Sequence, residues 1–297
     1  MQCPKCQFEQ ENTIFCKQCG LVFEKYYQYH AKESYEPKPV PSYITPVKHD
    51  SITQLPVIKF LNKTIIYVSL ILLIVAFFKR NDFPVDLQYD PALLQAPSQI
   101  AIQSQTFDLN QNNIDYRIQP LYDYRLTGLV VSYRHHDSNY GLHQRWGDHL
   151  NIADICVVWG ENASKLNLNA FTFWSGIFTC NFETKDSKAW SQFKPEQISN
   201  NHLLTENDDL RDIIADIQIG DQIQISGMLA NYQNDQGFKR GTSTTRTDKG
   251  NGACETIYVE DFQIIRPTQN PWRRILEFSS ISLLLSIGWW LISVIRE

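Results

Sequence analysis

The sequence lacks most of the features that announce a function. It has no basic excess: 27 Lys/Arg stand against 32 Asp/Glu, a formal net charge of −5, which excludes a strongly basic nucleic-acid binder. Seven cysteines in 297 residues are too sparse for a disulfide-dense secreted miniprotein. A hydrophobic content of 43% excludes a mostly disordered chain. There is also no phosphate-binding loop, nucleophile elbow or paired-carboxylate signature. What remains informative is where the residues sit.

The charge is unevenly distributed. Residues 1–80 carry 10 Lys/Arg and 6 Asp/Glu, a net +4, whereas residues 81–270 carry 14 and 24, a net −10. A central region at −10 repels phosphate backbones, so nucleic acid is not an expected partner.

Apolar residues concentrate in two runs. Thr64–Phe78 holds no charge; Val57–Leu61 extend it toward the roughly 20 residues a bilayer needs if Lys59 and Lys63 snorkel. Lys79-Arg80 end it. Ile275–Ile295 holds one charge, Glu277, with Arg273-Arg274 before it and Trp289-Trp290 as interface anchors. Two transmembrane helices are expected, over 59–80 and 273–295, leaving both termini on one side. A signal peptide is excluded because the first run starts far from the N-terminus. Basic residues flank both sides, so the positive-inside count does not set the orientation.

Four of the seven cysteines fall in the first twenty residues. Cys3-Pro4-Lys5-Cys6 and Cys16-Lys17-Gln18-Cys19 form a C-x2-C, nine-residue, C-x2-C pattern. Two such knuckles turn four thiolates toward one tetrahedral site, which points to Zn2+. Phe8, Phe15, Val22 and Phe23 are the expected apolar shell, and Gly20 suits the closing turn. Two disulfides or a redox dithiol pair is the competing reading. The motif resembles the zinc ribbons that begin many bacterial membrane proteins. The resemblance covers the ribbon, 1–25; the prolines Pro37, Pro39, Pro41, Pro46 and Pro56 mark 26–58 as a Pro-rich linker, and 81–270 is the expected central domain between the helices. Reduced thiolates are kept most easily in the cytoplasm. The expected placement is therefore a two-pass bacterial inner membrane protein, with cytoplasmic termini and a periplasmic or extracellular central domain.

Residues 81–270 alternate in short runs, as strands do. A hairpin is expected around Asn110-Gln111-Asn112-Asn113, and further strands over Tyr122–Arg134, Asp154–Trp159, Phe171–Trp174, Phe178–Thr184, Gly220–Leu229 and Glu255–Ile265. Short helices are expected over Ser187–Phe193 and Glu206–Ile214. The Gly-Asp-x-Ile-x-Ile-x-Gly segment at 220–227 is similar to a strand of an OB-type barrel, with Gly227 relieving crowding at a bend. A mainly β, OB-like, partly open barrel decorated by helices is expected, with an α+β sandwich as the alternative. Cys156–Gly160, Ser199–Leu204 and Gly241–Val259 resemble segments of a bacterial group of zinc-ribbon membrane proteins with no assigned activity, and that resemblance implies no chemistry.

Two polar clusters stand out in this domain. His135, His136 and Asp137, near His143 and His149, form a possible second metal site, although adjacent strand residues point to opposite faces. Arg246, Asp248, His202 and Asn201 form a possible ligand-binding site, against internal pairing of Arg246 with Asp248 or Glu255. Cys156 and Cys180 are the expected disulfide partners in an oxidising compartment, leaving Cys254.

The functional expectation is an adaptor or signalling protein. It joins a cytoplasmic protein partner, through the ribbon, to an acidic outer domain that binds a protein or small ligand. The alternative is a membrane-anchored hydrolase or metal-dependent enzyme with its site in the outer domain.

Overall fold

The computed structural model describes residues 1–33, 56–84, 87–136, 140–248 and 254–295, and most of the expected linker lies outside them. The chain divides into two units, 1–56 and 57–297.

The first unit is a pair of knuckles followed by a helix, α1 (Phe23–Glu33). Each knuckle closes through its own backbone: Gln7 N–H donates to Cys3 O at 2.9 Å and Gly20 N–H to Cys16 O at 2.8 Å. The residue after each second cysteine, Gln7 (φ 59°) and Gly20 (φ 69°), is left-handed. Glycine adopts this conformation freely; glutamine does so at a cost of about 1–2 kcal/mol.

The second unit begins with α2 (Pro56–Lys79). Then follow β1 (Ser98–Ala101), β2 (Phe107–Gln111) and the 22-residue β3 (Ile114–His135). α3 (Gly141–Trp146) leads to β4 (Asn151–Val158), α4 (Gly160–Ser164), and a separate hairpin of β5 (Phe171–Ser175) and β6 (Cys180–Thr184). α5 (Ser187–Gln192) precedes β7 (Ile198–Leu204). The chain continues through α6 (Asp208–Ala215), β8 (Gln222–Asn234), β9 (Lys239–Arg240), β10 (Cys254–Arg266) and α7 (Pro271–Ile295).

Five of these strands close on themselves. β3 pairs with β4, β4 with β7, β7 with β10, β10 with β8, and β8 again with β3. Only β7–β10 is parallel. Closure depends on the length of β3: Tyr116–Leu129 pair with β8, and Leu129–His135 continue onto β4. Bulges between Pro120 and Tyr122 and between Val130 and Ser132 supply the extra twist that such a bend needs. Gly227 sits opposite Val259 beside another bulge, and a Cβ there would lie 2.1 Å from Tyr258 O. The crowding anticipated from sequence is therefore a backbone contact. Leu126, Ile155, Leu203, Ile225, Leu229 and Ile257 fill the interior, all fully buried.

The two long helices belong to this unit and pack against each other. Ser279, Ser286 and Ser293 are the buried residues of α7; their spacing of seven keeps them on one face. Ser69 and Ala76 are the buried residues of α2. Ser69 Oγ donates to Ser282 Oγ at 3.0 Å, and Asn62 Nδ2 donates to Ser286 O at 3.1 Å. Small interface residues allow apolar helices to approach this closely. Both helices are long and apolar enough to cross a membrane.

Asn270 joins the helices to the barrel. Its Oδ1 accepts from Trp272 N–H at 2.9 Å, capping the start of α7 behind Pro271. Its Nδ2 donates to the carbonyls of Lys79, Arg80 and Asp82 at 3.1, 3.0 and 2.8 Å. One side chain thus satisfies orphan groups at the end of α2 and the beginning of α7. Arg273 adds Nε to Arg80 O at 2.9 Å and Nη2 to Ile219 O at 3.0 Å.

Candidate metal centre and a buried histidine network

Cys3, Cys6, Cys16 and Cys19 converge. Their sulfurs all lie within 4.8 Å of one another, a group that can hold a metal ion. Cys3 and Cys19 Sγ are 3.7 Å apart and Cys6 and Cys16 Sγ 3.6 Å. The expected apolar shell is only partly present. Phe23 is buried against Cys3 and Cys16, whereas Phe8, Ile14, Phe15 and Val22 are exposed, Ile14 by 74% and Phe15 by 50%. The correction has a physical cause: a unit this small has room for one aromatic ring behind its thiolates, and its remaining side chains face outward.

In the barrel, the two polar clusters read from sequence are rearranged. His202 and Asp154 are register partners on β7 and β4, and both side chains are fully buried. His202 Nδ1 donates to Asp154 Oδ1 at 2.5 Å, while its Nε2 lies 2.6 Å from Arg240 Nη2. A guanidinium only donates, so Nε2 must accept, and His202 is neutral with its proton on Nδ1. Burial depresses the basicity of His202 more than Asp154 restores it, and Arg240 lowers it further. Arg240 also stacks on Phe178, 3.8 Å from the ring centre. Phe178 N–H donates to Asp154 Oδ2 at 2.9 Å.

His136 joins the same network from the end of β3. Its Nε2 lies 3.1 Å from Asp154 Oδ1, but off the axis of a hydrogen bond, since that nitrogen has no hydrogen-bond partner. Burial pushes the Asp154 carboxyl up, yet His136 and His202 beside it outweigh that and hold it well below the usual carboxylate range. The His136 ring stacks on His143 at 3.9 Å. His143 Nδ1 lies 3.2 Å from Asp148 Oδ2, which also accepts from Tyr232 Oη at 2.9 Å.

Strand alternation separates the expected partners of His202. Asn201 points to the other face of β7, where its Nδ2 donates to Ile155 O at 3.1 Å and to Ser199 Oγ at 3.1 Å. Glu255 is the register partner of Asn201, and Arg246 pairs with Glu255 at 3.2 Å. Asp248 accepts from the Ser243 hydroxyl. Arg246, Asp248 and Asn201 therefore form no common site with His202. His135 and His136 also diverge: the His135 ring packs on Tyr133 at 5.0 Å, and Asp137 lies outside the described residues. Among the described residues the four cysteines are the one group of three or more ligand side chains close enough to hold a metal ion. Cys156 and Cys180 are joined, with Cα atoms 5.6 Å apart; Cys254 is free, its thiol pushed up by burial.

Asp154 and Phe178 belong to neither sequence cluster. A lone acidic residue between Ala153 and Ile155 carries no signal until its strand is placed beside β7. Phe178 lies in a left-handed turn (φ 58°) before β6, where an isolated aromatic reads as strand.

No protein-family model, curated protein or solved structure matches this chain. The residues themselves are the basis for a functional reading.

Proposed function

We propose that this chain is a two-span membrane adaptor, with a zinc-holding ribbon that docks a cytoplasmic protein and an OB-type barrel on the opposite side. The observation that carries the reading is the outward face of the ribbon. Phe8, Ile14, Phe15 and Val22 are exposed, and Phe15 and Val22 are paired side by side, which offers a protein partner an apolar surface.

Zinc is favoured by the sulfur spacing. Thiolates at about 2.3 Å from a tetrahedral ion lie roughly 3.8 Å apart, against the 3.7 and 3.6 Å between two of the pairs here. A four-thiolate set is closed to substrate, which makes the centre structural. The helices favour membrane insertion by length: 24 and 25 residues rise about 36 Å or slightly more, against a hydrocarbon core of about 30 Å. The OB reading is supported by five strands in the order β3-β4-β7-β10-β8 with closure back to β3, and by α6 in the β7–β8 connection. Reduced thiolates favour a cytoplasmic ribbon, and a bonded Cys156–Cys180 pair favours an oxidising compartment for the barrel. The bacterial inner membrane fits both. The sealed position of His202 and Asp154 weighs against the hydrolase alternative, because neither reaches solvent.

Site-specific photo-crosslinking in native membranes tests the docking face. A crosslinker at Ile14 or Phe15 should trap a discrete protein that a crosslinker at Ile281, in α7, does not. Identical products from all three positions would sink the adaptor reading.

A further inference from the structure

We propose that a cavity of about 730 Å3 where α2 and α7 meet the barrel binds the phosphate-bearing headgroup of an anionic phospholipid. The inference rests on the reading that α2 and α7 span a bilayer, and it concerns a site separate from the ribbon.

The cavity lies at the membrane-facing end of the barrel. The cavity is lined by Lys79, the last residue of α2, and by Pro271 and Trp272, the first residues of α7. With each helix slightly longer than the hydrocarbon core, these ends emerge at headgroup level. Trp272 stands where interfacial aromatic residues concentrate, and Lys79 Nζ lies 5.5 Å from its ring centre.

Among the described residues, two cations, Lys79 and Arg266, line the cavity with one carboxylate, Asp82. Asp82 is already engaged by Lys79 at 3.2 Å. No carboxylate among the described residues pairs with Arg266, and its Nε is buried without a hydrogen-bond partner. The half-buried Arg266 lines the cavity, so its terminal guanidinium nitrogens, beyond the sealed Nε, are the ones to meet a phosphate, which accepts two parallel N–H bonds. Gln88 and Gln269 also line the cavity, and their amides can meet glycerol or headgroup hydroxyls. Phe83 and Leu87, on the same wall, give the first carbons of an acyl chain an apolar surface.

The test uses the full chain in membranes and then in mild detergent. Alkaline carbonate extraction comes first. Release of the chain would overturn the membrane reading, and this proposal with it. If the chain stays in the bilayer, native mass spectrometry after exchange into mixed micelles reads retained lipid. Wild type should hold phosphatidylglycerol in at least tenfold preference to phosphatidylcholine, with soluble glycerol phosphate failing to displace it at equal concentration. Arg266→Gln should abolish that preference, and Arg266→Lys should keep part of it. Lys79→Gln, at a half-exposed side chain that tolerates change, should weaken it severalfold. Equal lipid retention by wild type, Arg266→Gln and Lys79→Gln would overturn the lipid site and leave the spanning reading intact. Displacement by glycerol phosphate would overturn it in favour of a free phosphate ligand.

Discussion

Glu255 is a carboxyl group kept almost entirely from water beside a partly exposed arginine. Burial pushes it from its ordinary 4.5 to about 7, with Arg246 opposing and Asp248 adding to the rise. A carboxyl raised in the native state contributes stability that is fully present below its unfolded value and is lost as pH rises through the folded one. Glu255→Gln removes that titration. The melting midpoint of the variant should therefore climb relative to wild type between pH 4.5 and pH 8. A difference that stays flat, or falls, over this window contradicts the raised value. Residue pairs differ in how far apart the chain places them. Internal pairing of Arg246 with Glu255 was open to a reading of the sequence, because the two lie nine positions apart in one polar segment. Pairing of His202 with Asp154 was not, because 48 positions and a strand register separate them. The same alternation that set His135 against His136 also sets Asn201 against His202, and it acts only once β7 is known to be a strand.

Elements differ in how plainly their pattern declares them. The C-x2-C spacing and the two apolar runs are local signals: the four cysteines converge, and the runs lie within two long helices, each starting two or three residues ahead of the expected span. Strands β8 and β10 were legible from alternation around Ile223 and Ile257. β7 was not: Ser199-Asn200-Asn201-His202 is polar, yet it is buried because its partners on both sides supply hydrogen bonds that hydropathy cannot anticipate. The ribbon yields a prediction at this scale. Its only buried hydrophobic groups are Cys3, Cys16 and Phe23, so metal binding, at about 10–16 kcal/mol for such sites, supplies most of its folding energy. In the full chain, a strong chelator should strip amide protection from residues 1–33 and leave that of β4 and β10 unchanged, as read by hydrogen exchange with mass spectrometry. Retained protection around Cys16 under chelation would remove the structural metal.

At the scale of the whole molecule the charge asymmetry acquires a physical setting. The −10 of residues 81–270 belongs to the barrel and its decorations, whereas residues 1–55 balance six Lys/Arg with six Asp/Glu, and the +4 of residues 1–80 comes from Lys59, Lys63, Lys79 and Arg80 in and beside α2. The proposed topology predicts a labelling pattern. Cysteines introduced at Asp123, exposed on β3, and at Tyr27, exposed on α1, should respond oppositely to a membrane-impermeant maleimide on intact cells. Asp123→Cys should be modified beyond the unsubstituted background, and Tyr27→Cys only after lysis. The reverse pattern would invert the placement. Closure of the barrel was not legible from sequence, because it depends on one strand serving two neighbours, and nothing local in Ile114–His135 marks where Leu129 passes from β8 to β4.

The Asn270 clamp limits how far the barrel can reach. Four residues, 267–270, connect the end of β10 to α7, at most about 14 Å of chain even fully stretched, and Asn270 is itself tied to the end of α2. In a bilayer the barrel would be mounted on its helix pair like a fixed head, with no tether on which to search. Whatever it meets must come to the membrane surface and approach within a barrel's width of the lipid.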